Sequence, residues 1–537
     1  MRANRTLFVL GAALGLLSCG GGSSGVTGGG AVGVNMCEAP QYGVSTSLAD
    51  NTAVFQAALL SCADRTMHVP TGTYTFAPAL AYSDTNGFGP GITIPDGTSI
   101  VGDGAGKTTL KIEGPGNYVS FLWIQDASNV SISNLTLAGN NARNPPPPAG
   151  APACYYDYGR AISIQSTNRP VGNISITPTE LISFTGTSWI DVLGGENAPG
   201  IGAVGDPVTI DGNYFKSVPG NAVAPEQIDC PASAVAIQGL GPAFATVANV
   251  TVSGNVIDAD YIKTGVAVWS GASHIKITNN TISNAGMGLP IPHNYSNGSY
   301  AILVYQHHSV PPATTVFVRP VAISILDNEI VSPYSSGIYI AGGRSVRIVG
   351  NFITGQIDTY DVTEPRGAIA LNYLNNEFEG EQTPVSDNNI RDSAIGISIA
   401  GGVLPIVDLN VIESIPSGGL GLKVAGGQFD GTALVLTLTN TIITALEGAS
   451  NVSSVVGFFP SAALRIDGLY QTGAAYPLRW YTNLVGTTQQ PQVNYCSFRA
   501  FGSISRVFTR DPQCRGDCWI PQTGYWPNYG LGCSPET

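Results

Sequence analysis

Val250 to Asp258 reads VTVSGNVID, and the residues that follow repeat its grammar. GVAVWSG spans 265–271, IKITNNTIS 275–283, AILVYQ 301–306, VAISILDNEI 321–330, GIYIAGG 337–343 and VRIVGNFI 346–353. Two short patterns alternate. One is a run such as G-I-Y-I. The other is an alternating strand followed three residues later by asparagine: Val252 to Asn255, Ile277 to Asn280, Ile325 to Asn328, Ile348 to Asn351. Self-similarity at this period is the signature of a solenoid. Apolar and polar residues alternate with the strand period rather than the helical one. Strands this short cannot bury a face alone and must stack on copies of themselves. The expected fold is therefore all-β: a single right-handed parallel β-helix of about ten three-strand coils, with G-I-Y-I first, V-R-I second and F-I third. Asparagine marks the turn after the second strand. It tolerates left-handed backbone there, and its amide can bond to the asparagine of the next coil. Asn213, Asn255, Asn280, Asn328, Asn351, Asn388 and Asn410 are expected in one stacked line.

This pattern resembles the pectate-lyase-like superfamily of right-handed β-helices, which carries an asparagine ladder in the same turn. The resemblance covers about Asn51 to Leu469. It implies polysaccharide bound in a groove along the first sheet.

The inward pairs of the first strands run Leu122/Ile124, Ile162/Ile164, Ile190/Val192, Val235/Ile237, Val266/Val268, Ile302/Val304, Ile338/Ile340, Ile369/Leu371, Ile397/Ile399 and Leu422/Val424, with Leu464/Ile466 as one more. Because side chains alternate across a strand, the residues between them form an outward column: Trp123, Ser163, Asp191, Ala236, Ala267, Leu303, Tyr339, Ala370, Ser398 and Lys423. Long insertions at 139–159, 216–232, 283–299, 307–320 and 355–366 flank this column and would wall a groove.

The chain divides as 1–18 signal, 19–36 tether, 37–120 N-terminal cap and first coil, 121–469 β-helix and 470–537 C-terminal cap. Arg2, Arg5 and the apolar Leu7–Leu17 stretch form an export signal. Leu16-Leu17-Ser18-Cys19-Gly20 resembles a bacterial lipobox, which implies lipidation at Cys19 and an outer-membrane or cell-surface lipoprotein; an ordinary secretory signal is the alternative. The Gly- and Ser-rich residues 20–33 suit a flexible tether. Eight further cysteines in an exported chain suggest disulfides, Cys37 with Cys62 first among them. Asp50–Ala63 reads as the one helix, capped by Asp50. The GDGAGKTT stretch at 102–109 is no phosphate loop: Val101 stands where the first glycine belongs, and TLKIE, a strand, follows. A net charge of −13 argues against nucleic acid as partner. The expected partner is a polysaccharide, with membrane contact through the lipid anchor only, and the expected state is monomeric.

Hydrolysis needs two carboxylates flanking the bond, and only Asp191 in the outward column is acidic. The polygalacturonase signatures N-T-D, D-D and G-H-G are missing. Lyases and C5-epimerases of uronic-acid polymers need instead a base for the C5 proton, an acid, and a cation for the carboxylate. His307, Tyr339 and Arg344 are the candidate catalytic set, with Tyr305, Asp361, Arg366, Tyr373 and Trp269 as substrate contacts. The D-P-H-type motif of alginate epimerases is missing too. No cofactor is identified, calcium is left open, and no metal ligand is assigned. A non-catalytic adhesin or glycan-binding lipoprotein is the second reading, favoured by the small residues Ala236, Ala267 and Ala370.

Overall fold

In the computed structural model, G-V-A-V and G-I-Y-I runs fall in one sheet and the strand–asparagine–strand units in another. The structure describes residues 36–77, 90–113, 120–139, 160–184, 188–194, 204–218, 233–239, 247–289, 298–306, 319–358, 365–373, 382–401, 404–425, 434–450, 452–458, 462–472, 476–481, 493–500 and 508–509. They lie in one compact unit, Met36–Thr537.

The first sheet has fourteen strands, stacked in sequence order. Its pairs are parallel and in register: Leu122 on Ile162, Ile162 on Ile190, Ile190 on Val235, and so on through Ile338, Ile369 and Ile397 to Leu422. The second and third strands of each coil merge into a twenty-five-stranded sheet. Every pairing is between successive coils, which is a parallel β-helix.

Inward Ile and Val residues from all three strands of each coil build one continuous buried core, with Ile302, Val304, Ile325 and Ile330 fully covered. Each such side chain contributes about 1.5–3 kcal/mol of burial, and stacking is what supplies it.

The asparagine line is present throughout. From Asn255 to Asn410 each Oδ1 accepts from the backbone N–H and Nδ2 of the asparagine one coil earlier, at 2.9–3.1 Å. Each Nδ2 also donates to a strand carbonyl, as Asn328 does to Ile277 at 3.0 Å. The left-handed residue is not the ladder asparagine, contrary to the sequence expectation. It is the residue before it: Gly212, Gly254, Asn279, Asp327, Gly350, Asp387 and Leu409, with φ between 53° and 71°. The division is physical. A ladder amide aimed into the coil above must sit on regular backbone, so the neighbour makes the turn.

Other expectations change. Leu464 and Ile466 belong to Ala462–Thr472, in the larger sheet. First-sheet places after Leu422 are filled by Val455 and Leu478. Parallel pairing continues past Leu469, through Tyr476–Tyr481 and Val493–Ala500. The helix is Thr52–Ser61. Asp50 accepts from the Thr52 N–H at 2.8 Å, while Asn51 bonds Ser45 and Thr75 and ties the cap to the first coil. Thr108–Ile112 is a strand, as the rejection of a phosphate loop requires.

Cys37 and Cys62, the pair first expected as a disulfide, are instead buried free thiols. Burial, with the neighbouring Cys37 thiol acting in the same direction, pushes Cys62 up to about 11. Cys19, Cys154, Cys230, Cys514, Cys518 and Cys533 lie outside the described residues, so lipidation and the remaining pairings do too. No helix among the described residues is long and apolar enough to cross a membrane.

Candidate functional site on the outer face of the first sheet

Three outward positions recur on each first strand. In Tyr300–Tyr305 they are Tyr300, Leu303 and Tyr305. Register carries them to Ser336, Tyr339 and Ala341 on the next coil. They should face water, yet this stretch of the face carries an apolar cluster distinct from the solenoid core: Ala267, Tyr300, Leu303, Tyr339, Ala341 and Ala370, with Trp269 and Tyr305 packed against it.

The central column is therefore not an open floor. Tyr339 is 1% exposed. Its ring stacks on Tyr300, centroids 4.5 Å apart at 22°, and its hydroxyl accepts from Asn372 Nδ2 at 2.8 Å. Arg366 is 3% exposed. One terminal nitrogen donates to the Tyr300 hydroxyl at 3.2 Å, and its Nε lies 3.5 Å from Asp358 Oδ2. Asp358 also accepts from Ser335 Oγ at 3.2 Å. Asp358, Arg366, Tyr300, Tyr339 and Asn372 thus form one chain of contacts from the turn before the strands to the sheet face. Burial, then Asp358, hold the nearby Tyr334 hydroxyl above its ordinary range against the pull of Arg366.

Toward the strand ends the face opens. Trp269 and Tyr305 are half-buried, on adjacent coils, edge to face with centroids 5.3 Å apart. Beside Trp269 the turns of two coils meet backbone to backbone: a Cβ on Gly239 would stand 2.9 Å from Gly271 Cα. Beside Tyr305, Gln306 buries an Oε1 that has no hydrogen-bond partner. Arg344 is exposed in the turn after Tyr339, where its backbone bridges to Val321 and its N–H donates to Pro320 O at 2.7 Å.

Of the residues expected from sequence, Trp269, Tyr305, Tyr339 and Arg366 come together in this cluster and network. Arg344 lies in the following turn. Tyr373 ends the strand Gly367–Tyr373. His307, Asp361 and most of the wall-forming insertions lie outside the described residues. Sequence reading missed Tyr300, Asp358 and Asn372. Tyr300 opens YAILVY as Arg160 opens RAISIQ, and that shared first position was the available signal. No group of three or more His, Cys, Asp or Glu residues among the described residues could hold a metal ion.

No protein-family model and no curated protein sequence matches the chain. Solved structures do resemble it. The A-module of the mannuronan C-5 epimerase AlgE6 from Azotobacter vinelandii is 12% identical, over 87% of this chain and 100% of that one, with a TM-score of 0.39. PfbA, a surface adhesin of Streptococcus pneumoniae, is 14% identical over 82% and 90%, with a TM-score of 0.45. The catalytic unit of a GH87 alpha-1,3-glucanase from Streptomyces thermodiastaticus is 14% identical over 90% and 71%, with a TM-score of 0.42. With TM-scores of 0.45 or lower these likenesses carry no argument, and the fold stands on the strand pairing above.

Proposed function

We propose that this is a cell-surface carbohydrate-active protein that binds a polysaccharide, a uronic-acid-containing one first, along the outer face of its first sheet. The observation that carries the reading is the aromatic pair Trp269 and Tyr305, half-buried and in step on adjacent coils. Coils rise by about 4.8 Å, so a chain laid along the axis meets the two rings in succession. Ring faces pack on the apolar faces of sugars, and exposed Arg344 offers a bidentate donor to a carboxylate.

On this reading the chemistry is that of a lyase or epimerase. His307 is the base for the C5 proton because its ordinary pKa lies near neutrality. Arg344 holds the carboxylate. Arg366 and Tyr339 act by holding the aromatic cluster in place, and Tyr373 and Asp361 are proposed as further sugar contacts. The second reading is binding without turnover, an adhesin or glycan-binding lipoprotein. The burial of Tyr339 and Arg366 in contacts of their own favours it.

A polysaccharide panel, assayed for binding and for ultraviolet-absorbing unsaturated products, tests both. Binding lost in Trp269→Ala and Tyr305→Ala supports the site, and binding retained in both contradicts it. Unsaturated product, or C5 inversion read by proton NMR of the treated polymer, abolished by His307→Ala supports the enzyme; the absence of both from the wild type leaves the binding protein. Anchoring through lipid on Cys19 belongs to the same proposal. Cys19→Ala should release the protein from membranes, and unchanged fractionation would refute the anchor.

A further inference from the structure

Buried polar atoms in proteins almost always have a hydrogen-bond partner, and each exception asks for an explanation. Among the described residues such exceptions gather on the outer face of the first sheet: Trp123 Nε1, Asp191 Oδ2, Thr264 Oγ1, Ser336 Oγ and Ser398 Oγ lack a hydrogen-bond partner there. Two of these share one column, two coils apart. Trp123 and Asp191 belong to one outward column, with Ser163 directly between them in register. Trp123 is 8% exposed and Asp191 1%. Arg160, at the first position of the middle strand, brings its Nε to 3.1 Å from Asp191 Oδ2. This is the diagonal by which Tyr300 meets Tyr339 four coils further on.

The cluster does not pack as a structural core would. Burial pushes the Asp191 carboxyl up, against the pull of Arg160 and of a hydrogen bond from Ser188. Burying an ion pair without satisfying its remaining lone pairs is unfavourable compared with apolar residues of the same volume. An indole N–H without an acceptor adds to that cost. A donor and an acceptor, both on the sheet's outward column and two coils, about 9.6 Å, apart, match the hydroxyl-bearing edges of two successive sugar units, which both give and take hydrogen bonds.

We infer that Trp123, Arg160 and Asp191 form a second sugar subsite, which takes the hydroxyls of a polysaccharide chain whose other end lies on Trp269 and Tyr305. The inference rests on the binding reading proposed above. Trp123 and Trp269 stand on first strands four coils apart, ~19 Å along the axis, so only a chain of several sugar units reaches both. The indole N–H donates to a ring hydroxyl, and Asp191 Oδ2 accepts from another while Arg160 holds the carboxylate. Both groups are more than nine-tenths covered by protein atoms in the free protein, so the sugar displaces protein from the face as it enters.

The test is titration calorimetry of the full chain with polygalacturonate and with a soluble neutral β-glucan, each as fragments too short and long enough to span ~19 Å. Trp123→Phe keeps an aromatic ring and removes the N–H. It is expected to weaken long fragments about three- to tenfold, the loss of one hydrogen bond, and to leave short ones unchanged. Asp191→Asn should act in the same direction. Because it also disturbs a buried pair, Trp123→Phe carries the test alone if Asp191→Asn fails to fold. Tyr305→Ala should weaken short and long fragments alike. If Trp123→Phe binds long fragments as the wild type does while Tyr305→Ala does not, the subsite is refuted and the binding reading survives. Equal losses on short and long fragments in Trp123→Phe refute it too, as a general disturbance of the face. No binding of any fragment by the wild type removes both.

Discussion

Replacing Asn328 with alanine takes one link from the middle of the ladder. Its Nδ2 donates to Ile277 O and to Asn351 Oδ1, both at 3.0 Å. Its Oδ1 accepts from the Asn280 N–H at 3.1 Å and from Asn280 Nδ2 at 2.9 Å. Alanine deletes these four bonds and leaves their partners inside a turn where the ladder asparagines are buried. At about 1 kcal/mol net per bond, the variant should lose about 4 kcal/mol. Asn213, the first link, makes fewer such bonds: its Oδ1 accepts from the Thr179 N–H alone, and its Nδ2 donates to Ile176 O and Asn255 Oδ1. Asn213→Ala should therefore cost about 3 kcal/mol. Denaturant unfolding measures the totals, and hydrogen exchange localises them. The Asn280 amide loses its acceptor and should exchange faster in Asn328→Ala. The Asn388 amide, bonded to Asn410 Oδ1 at 3.1 Å, should not change. A loss below about 1 kcal/mol, within the range of a single hydrogen bond, or exchange quickened equally at both amides, would refute a ladder made of separate links.

Three further perturbations follow. Leu409 holds φ 55° in a position that other coils give to Gly, Asn or Asp, and it is 49% exposed. Leu409→Asn should raise stability by about 1 kcal/mol by relieving left-handed strain, and a lower melting temperature would contradict this. Burial pushes the Lys423 amine from 10.5 down to about 8. The unfolded chain then binds the extra proton between those values, so stability rises with pH across that window, by about 3 kcal/mol for this one group. The rise should be missing in Lys423→Met, and parallel melting-temperature profiles for the two proteins would refute it. His68 sits between Asp103 at 2.9 Å and Glu38 at 2.8 Å. Burial pulls its pKa down, but these hydrogen bonds more than offset it and hold it above the usual 6.5. Its contribution is fully present below that ordinary value and is lost as pH rises through the raised one. His68→Gln should flatten that decline, and an unaltered decline would show that other groups cause it.

The solenoid was legible because two independent signals in the sequence agree. The period of two fixes which side chains enter the core, and the asparagines fix where each coil turns. A one-residue slip would have exposed every Ile at once, so the register from Leu122 to Leu422 could be read from pattern alone. Trp189 shows where that rule stops. Alternation would turn it outward beside inward Ile190. Pairing instead steps from Ser188–Ser233 to Ile190–Val235 and leaves Trp189 unpaired, and its side chain packs between Phe184 and Phe215. The outer face was harder still. Tyr339 reads as a sugar-stacking ring until Tyr300, on the previous coil and three positions earlier in its strand, is seen to cover it. Arg366 reads as a free cation until Asp358 is found beside it. Such contacts join residues dozens apart in the chain, and no local pattern encodes them.

The claim that a sugar chain lies on the outer face of the first sheet is tested most directly by a crystal structure of the protein with the tightest-binding oligosaccharide from the panel. The account predicts a sugar ring in van der Waals contact with Trp269 and Tyr305, within reach of Arg344, and the chain axis parallel to the stack of coils. Electron density for the sugar on the larger sheet or at an end of the solenoid, with both rings uncovered, would contradict it.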